Sequence, residues 1–155
     1  MPDTPLPSKW QEALKPQGVA LGFDYGTKKI GVAVGQLLTR SASPLPILYR
    51  VKEDIDWASI AVLVRQWRPF ALVVGLPVYM DGKPQWITQE ATAFALELKK
   101  RFSISVYVAD ERLTSAEARS QVFESGGYKA LKKTAIDSLA AKLILEQWLQ
   151  QFESE

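Results

Sequence analysis

The amino-acid sequence predicts an α/β fold in which a mixed β-sheet is covered by helices on both faces. Two observations carry this prediction. Three apolar runs near the start of the chain are joined by connections too short for a crossover helix, which indicates an antiparallel meander. The later apolar runs alternate with segments of helical periodicity, which is typical of parallel strands joined by crossover helices.

The predicted elements follow one another in the order βββαβαβαα. The expected strands are Val19–Phe23, Ile30–Val34, Ile47–Val51, Phe70–Val74 and Ile104–Ala109. The expected helices are Asp54–Trp67, Ile87–Phe102, Thr114–Glu124 and Thr134–Phe152. A meander followed by βα units is the arrangement of the ribonuclease H-like fold.

Length and composition set the domain organisation and narrow the chemistry. The 155 residues fit one domain, which we expect at residues 18–152, after a Pro-rich, polar and mobile arm at residues 1–17. No apolar run suggests a secretory signal or a membrane span, so we expect a cytoplasmic protein. The chain has neither Cys nor His, which excludes thiolate chemistry, the Ser–His–Asp triad and the usual zinc ligands. Carboxylates without these groups favour hard cations such as Mg²⁺ or Mn²⁺.

Asp24 is the first candidate for chemistry, because it ends an apolar strand and precedes the turn Tyr25–Gly26–Thr27–Lys28. A carboxylate at such a strand end requires solvent, hydrogen bonds or a metal ion. The alternative role is that of a turn former, since Asp before a glycine is common in hairpins. Lys28, close to Asp24 in the chain, is a candidate contact to a substrate phosphate.

An acidic pair, Asp110 and Glu111, ends another predicted strand and is followed by Arg112. Neighbouring residues of a strand point to opposite faces, so only one of the two acids is expected to share a cleft with Asp24. The alternative is a surface ion pair between one of these acids and Arg112.

Asp137 lies near the start of the last predicted helix, on its apolar, inward face. The residues that share this face are Ala140, Ala141, Ile144, Leu145 and Trp148. The polar face is centred near Ser138, Lys142 and Glu146. A carboxylate on an inward face requires a partner, which favours a functional role. The alternative is capping of the helix start together with Thr134.

The loop after the fourth predicted strand contains Lys83, which either contacts a phosphate or belongs to a plain turn at Asp81–Gly82. Trp86 beside it either stacks on a base or packs on its own domain. If three carboxylates from separate elements meet, divalent cations would relieve their repulsion. Two such ions activate water and stabilise the leaving oxygen of a phosphodiester, which requires no His.

Four sequence motifs resemble those of the YqgF family, also called RuvX. They are Gly22–Ala33, Val73–Pro77 with Met80–Gly82, Ala109–Ala118, and Ser125–Gly127 followed by Asp137, Ala140, Ala141 and Ile144. Together they span nearly everything from Val19 to Trp148, in the family's order. Tyr79 departs from the pattern, because the family often has Asn there.

The resemblance implies a ribonuclease H-like fold related to Holliday junction resolvases. It also implies a nuclease role in maturing the 5′ end of 16S ribosomal RNA in the bacterial cytoplasm. By position, it implies that Asp24, Glu111 and Asp137 are the catalytic acids. We expect these acids to bind two Mg²⁺ or Mn²⁺ ions, and Lys28, Lys83 and Arg112 to bind the substrate.

Three alternatives remain open at the level of sequence. The first is a resolvase of branched DNA, which would work as a symmetric homodimer, whereas the RNA nuclease is a monomer or a homodimer. The second is a non-catalytic factor that binds RNA or a ribosomal partner. The third is a nucleotide-binding protein, since Asp–x–Gly–Thr turns also occur in the sugar kinase and actin superfamily, although this chain is short for that two-lobed architecture.

Overall fold

A computed structural model describes residues 18–76, 86–110 and 133–152, and for residues 110 and 133–137 only the course of the backbone. The strands in this part of the chain are β1 (Val19–Asp24), β2 (Lys29–Gln36), β3 (Ser41–Tyr49), β4 (Ala71–Leu76) and β5 (Ser105–Asp110). The helices are α1 (Trp57–Trp67), α2 (Trp86–Phe102) and α3 (Lys133–Gln151). The arm at residues 1–17 and the predicted helix at Thr114–Glu124 lie outside the described residues. None of the three helices is long and apolar enough to cross a membrane.

The five strands form one mixed sheet in the order β3-β2-β1-β4-β5. The first three pair antiparallel, as the short connections predict. β1 also pairs parallel with β4, and β4 pairs parallel with β5. β1 is therefore the central strand, and its carboxyl end lies at the same edge of the sheet as the carboxyl ends of β4 and β5. The predicted mixed α/β architecture is confirmed.

The two faces of the sheet are covered by different helices. α1 and α2 pack on large side chains of one face, among them Leu21, Phe23 and Leu72. α3 packs on small side chains of the other face, among them Ala20 and Ala71. Successive residues of a strand point to opposite faces, so the alternation of large and small residues along β1 sets the thickness of each layer.

Two glycines allow α3 to approach the sheet closely. A Cβ atom at Gly22 would lie 2.9 Å from the Cβ atom of Leu145 and 3.4 Å from the carbonyl oxygen of Ala141. A Cβ atom at Gly35 would lie 2.7 Å from Cδ1 of Leu149. Gly35 pairs with Ala20, two residues before Gly22, so α3 runs antiparallel to β1.

The predicted polar face of α3 lies against β3 and is only partly exposed, with the Lys142 and Glu146 side chains 28% and 22% exposed. Ser138 is buried, and its Oγ donates a hydrogen bond of 2.6 Å to the carbonyl oxygen of Leu45. A carboxylate oxygen of Glu146 accepts a hydrogen bond of 3.0 Å from the backbone N–H of Ala42. Leu45 and Ala42 belong to β3, which is an edge strand of the sheet formed by the described residues. The polar residues of α3 therefore satisfy this edge.

Two elements begin more than two residues away from the predicted position. The third strand was expected at Ile47–Val51, whereas β3 spans Ser41–Tyr49 and includes Pro44 and Pro46. An edge strand tolerates proline, because its outward N–H groups need no strand partner. The first helix begins at Trp57 because Asp56 caps it, accepting a hydrogen bond of 3.1 Å from the backbone N–H of Ser59.

Arg40 caps the carboxyl end of α3 from the β2–β3 turn. Its Nη1 donates to the carbonyl oxygens of Leu149 and Phe152, the latter at 2.7 Å. A cation bonded to the last carbonyls of a helix also interacts favourably with the helix dipole. We expect Arg40→Ala to lower the free energy of unfolding by about 1–2 kcal/mol, measured by urea denaturation. Leu38→Ala is the control, because Leu38 lies in the same turn and is 87% exposed; equal losses in both variants would contradict the capping role.

Candidate active site

Asp24 lies in a hollow at the carboxyl end of the central strand. It is the last residue of β1, and its partners are Gly31 on β2 and Gly75 on β4. Side chains at paired positions of a sheet normally lie about 4.5–5.5 Å apart, so neither paired position places a side chain beyond the backbone next to the Asp24 carboxylate. Asp24 is half-buried. It lines a pocket of about 220 Å³ with Tyr25, Gly26, Thr27, Lys28, Lys29 and Gly31.

The backbone also brings Asp137 to this end of the sheet. Gly22 contacts Leu145 and Ala141, and Asp24 follows Gly22 by two residues on the same face of β1. Asp137 precedes Ala141 by about one helix turn, and α3 runs antiparallel to β1. Two strand residues span about 6.7 Å and four helix residues about 6 Å. Asp137 therefore lies one to two helix turns beyond the contact with Gly22, in the direction in which β1 runs to Asp24.

Asp110 lies at the same edge of the sheet. β5 ends at Asp110, which pairs with Leu76, while the preceding residue of β4, Gly75, pairs with Asp24. Asp24 and Asp110 are thus two strands apart, which corresponds to about 10 Å between their backbones. Glu111 follows directly but lies outside the described residues, as do Lys83 and Arg112.

The donor chemistry of this pocket fits a hard divalent cation. Among the side chains that the structure describes, no three acidic groups lie close enough together to hold a metal ion. Of the three predicted metal ligands, only Asp24 has a side chain that the structure describes. Its carboxylate, in a hollow with room for a hydrated ion, is the kind of oxygen ligand that Mg²⁺ and Mn²⁺ accept.

A hydrogen-bonded group that the sequence interpretation missed lies beside Asp24. Nη2 of Arg50 donates to the hydroxyl of Tyr25 at 2.7 Å and to the carbonyl oxygen of Gly26 at 3.0 Å. The Tyr25 hydroxyl donates in turn to Oε1 of Glu90 at 3.1 Å. The guanidinium group also lies 5.0 Å from the centre of the Tyr25 ring. This network joins the turn after Asp24 to the end of β3 and to α2.

A second and larger pocket adjoins the first. Its volume is about 520 Å³, and the described residues that line it are Thr27, Lys28, Arg50, Glu53, Trp86 and Glu90. Thr27 and Lys28 line both pockets. Lys28, predicted to bind substrate, is exposed where the two pockets meet.

A family model described as "RuvX: Holliday junction resolvase" matches residues 18–151. The chain belongs to the RuvX family. A Legionella pneumophila (strain Philadelphia 1) relative named "Putative pre-16S rRNA nuclease" is 53% identical over 89% of this chain and 99% of its own length. A Klebsiella pneumoniae relative of the same name is 48% identical over 86% of this chain and 97% of its own length. These matches confirm the resemblance that the motifs indicated. At the level of the family, they also confirm the prediction of a phosphodiester hydrolase.

Two solved structures support the fold. Thermus thermophilus RuvC in complex with a Holliday junction substrate has a TM-score of 0.53 and 18% identity, covering 86% of this chain and 96% of its own. The Fowlpox virus resolvase in complex with Holliday junction DNA also has a TM-score of 0.53, at 14% identity, covering 85% of this chain and 97% of its own. At identities this low, the structural similarity is evidence for the fold alone. The RuvX chain has the fold of the RuvC-like resolvases.

Proposed function

We propose that this RuvX chain hydrolyses phosphodiester bonds at the 5′ end of precursor 16S ribosomal RNA, using two divalent cations held by Asp24, Glu111 and Asp137. The observation that supports this most is the position of Asp24, which lines a pocket between Gly31 and Gly75 at the end of the sheet toward which α3 carries Asp137. When bound, Mg²⁺ or Mn²⁺ activates water and stabilises the leaving oxygen.

The residues of this chain hold the cations and position the RNA. We choose Glu111 over Asp110 as a ligand because Ala109 and Tyr107 lie on the α3 side of the sheet, where Tyr107 contacts the ring of Trp148 at 5.0 Å. Every second residue of a strand shares a face, so an extended chain after Asp110 would place Glu111, and not Asp110, on the side of Ala109 and Tyr107. Lys28, exposed at the mouth of the Asp24 pocket, binds a phosphate of the substrate, and we assign the same role to Lys83 and Arg112.

The substrate assignment rests on the relatives of about 50% identity, which are named for precursor 16S rRNA. The second candidate is branched DNA, because the family model is described by Holliday junction resolution. A resolvase cuts two strands as a symmetric dimer, so that function also requires a homodimer. With an rRNA substrate, the protein works in the cytoplasm as a nuclease domain at residues 18–152 preceded by an arm at residues 1–17.

The test is cleavage by the purified full-length protein of two substrates, precursor 16S rRNA and a four-way DNA junction. We expect the RNA to be cut at the 5′ side of the mature sequence with Mg²⁺ or Mn²⁺, and left intact when EDTA removes the metal. Asp137→Asn is expected to lose this cleavage and to keep the melting temperature within a few degrees. Mapping of the new RNA 5′ end by primer extension identifies the site.

Each other result rejects a stated part of the proposal. Cleavage of the junction together with intact RNA would replace the substrate by branched DNA. RNA binding without cleavage at any metal concentration would leave a non-catalytic assembly factor. Full activity of Asp137→Asn would remove that residue from the site.

A further inference from the structure

The larger pocket next to Asp24, which we call the Trp86 groove, contributes only Lys28 to the catalytic proposal. Its described lining residues are Thr27, Lys28, Arg50, Glu53, Trp86 and Glu90. We propose that this groove binds one unpaired nucleotide of the RNA beside the bond that is cut, with the base stacked on Trp86 and the phosphate bound by Lys28. This inference rests on the proposed function, since it takes the chain to act on RNA.

Trp86 has the exposure expected of a stacking platform. It is the first residue of α2, and 62% of its surface is exposed. Trp57, in contrast, packs against Phe94 in the core beneath α2, with ring centres 5.5 Å apart. Every nucleobase presents a π-face, so an exposed indole beside a cation accepts a base of any sequence.

The charges of the groove favour a single strand over a duplex. Among the lining residues that the structure describes, two cations, Lys28 and Arg50, are balanced by two acids, Glu53 and Glu90. A surface that follows a duplex backbone neutralises many phosphates and is strongly basic. Arg50 already donates to Tyr25, to Gly26 and, at 3.5 Å, to the carbonyl oxygen of Glu53. Lys28 is exposed and can bind a phosphate. With Arg50 engaged in these hydrogen bonds, the groove suits one phosphate rather than a row of them.

The size and rigidity of the groove agree with one nucleotide. Its volume of about 520 Å³ falls within the range of about 300–1,000 Å³ for small-molecule pockets. The hydrogen bonds from Arg50 to Tyr25 and from Tyr25 to Glu90 join the strand side of the groove to the helix that begins with Trp86. Walls joined in this way are preformed, which lowers the entropic cost of binding.

The test measures binding without cleavage, using fluorescence anisotropy of a labelled, unstructured RNA of about ten nucleotides with the full-length protein in EDTA. We expect Trp86→Ala to weaken binding about tenfold, and Trp86→Phe to retain most of the affinity, because a phenyl ring still stacks. We expect Lys28→Ala to weaken binding and to reduce the slope of log K against log salt by about 0.7, the value for one phosphate of a single strand.

Two control variants remove similar side chains elsewhere on α2. Leu96→Ala removes an apolar side chain that is 67% exposed, and Lys99→Ala removes an exposed cation of the last turn. Both should bind RNA as the wild type does. Circular dichroism establishes that each variant is folded.

The groove assignment is overturned if Trp86→Ala binds the single strand like the wild type, or if it loses affinity for a blunt RNA duplex to the same extent. The metal-free assay separates this result from the catalytic proposal. Trp86-dependent binding by a protein that cuts nothing with Mg²⁺ would retain the groove and reject the nuclease. Metal-dependent cleavage together with RNA binding that does not depend on Trp86 would retain the nuclease and reject the groove.

Discussion

Asp24→Asn is expected to lower metal-dependent cleavage by about a thousandfold or more and to leave the fold intact. The amide has nearly the size of the carboxylate, so it fits the hollow between Gly31 and Gly75. It lacks the negative charge that attracts a divalent cation, and several kcal/mol of metal-dependent stabilisation are lost. Initial cleavage rates over a titration of Mg²⁺ and of Mn²⁺ measure the loss, and thermal unfolding measures stability.

The matched control is Asp56→Asn, the same chemical change at the start of α1. The Asp56 side chain accepts a hydrogen bond from the N–H of Ser59, and Asn caps a helix almost as well as Asp does. This variant should therefore cleave at the wild-type rate. If Asp24→Asn also cleaves at that rate, Asp24 is not a metal ligand.

The sequence predicted the centre of the fold better than its edge. β1 and β4 are almost entirely buried, so their sequences are continuous apolar runs that read as strands without further context. β3 alternates exposed and buried positions irregularly and contains Pro44 and Pro46, which count against a strand in a local reading. Its pairing with β2 and its contacts with α3 stabilise it, and both depend on residues distant in the chain.

The candidate site shows the same division between local and distant signals. Asp24 was predictable because a charged residue at the end of an apolar strand is itself unusual. Arg50 was not, since its partners Tyr25 and Gly26 precede it by 25 and 24 residues and no local pattern links them. Ser138 was assigned to the polar face of the last helix, yet it is buried and bonded to Leu45 of an edge strand, 93 residues away in the chain.

Gly22→Val is expected to lower the free energy of unfolding by about 3 kcal/mol and to impair cleavage as well. An added Cβ atom would lie 2.9 Å from Cβ of Leu145, an atom close to the backbone of α3 that cannot rotate away. α3 must therefore move outward, and the turn that contains Asp137 moves with it. Urea denaturation measures the loss of stability, and the metal-dependent cleavage rate reports the displacement.

Graded and control substitutions distinguish this close packing from a general effect of adding a β-branched residue. Gly22→Ala adds only the Cβ atom, so its loss of stability should be smaller than that of Gly22→Val. Ser43→Val puts the same side chain at an exposed position of β3, where valine suits a strand and should be nearly neutral. Wild-type stability in Gly22→Val would mean that α3 does not lie against β1 at Leu145, which would also contradict the placement of Asp137 at the same end of the sheet as Asp24.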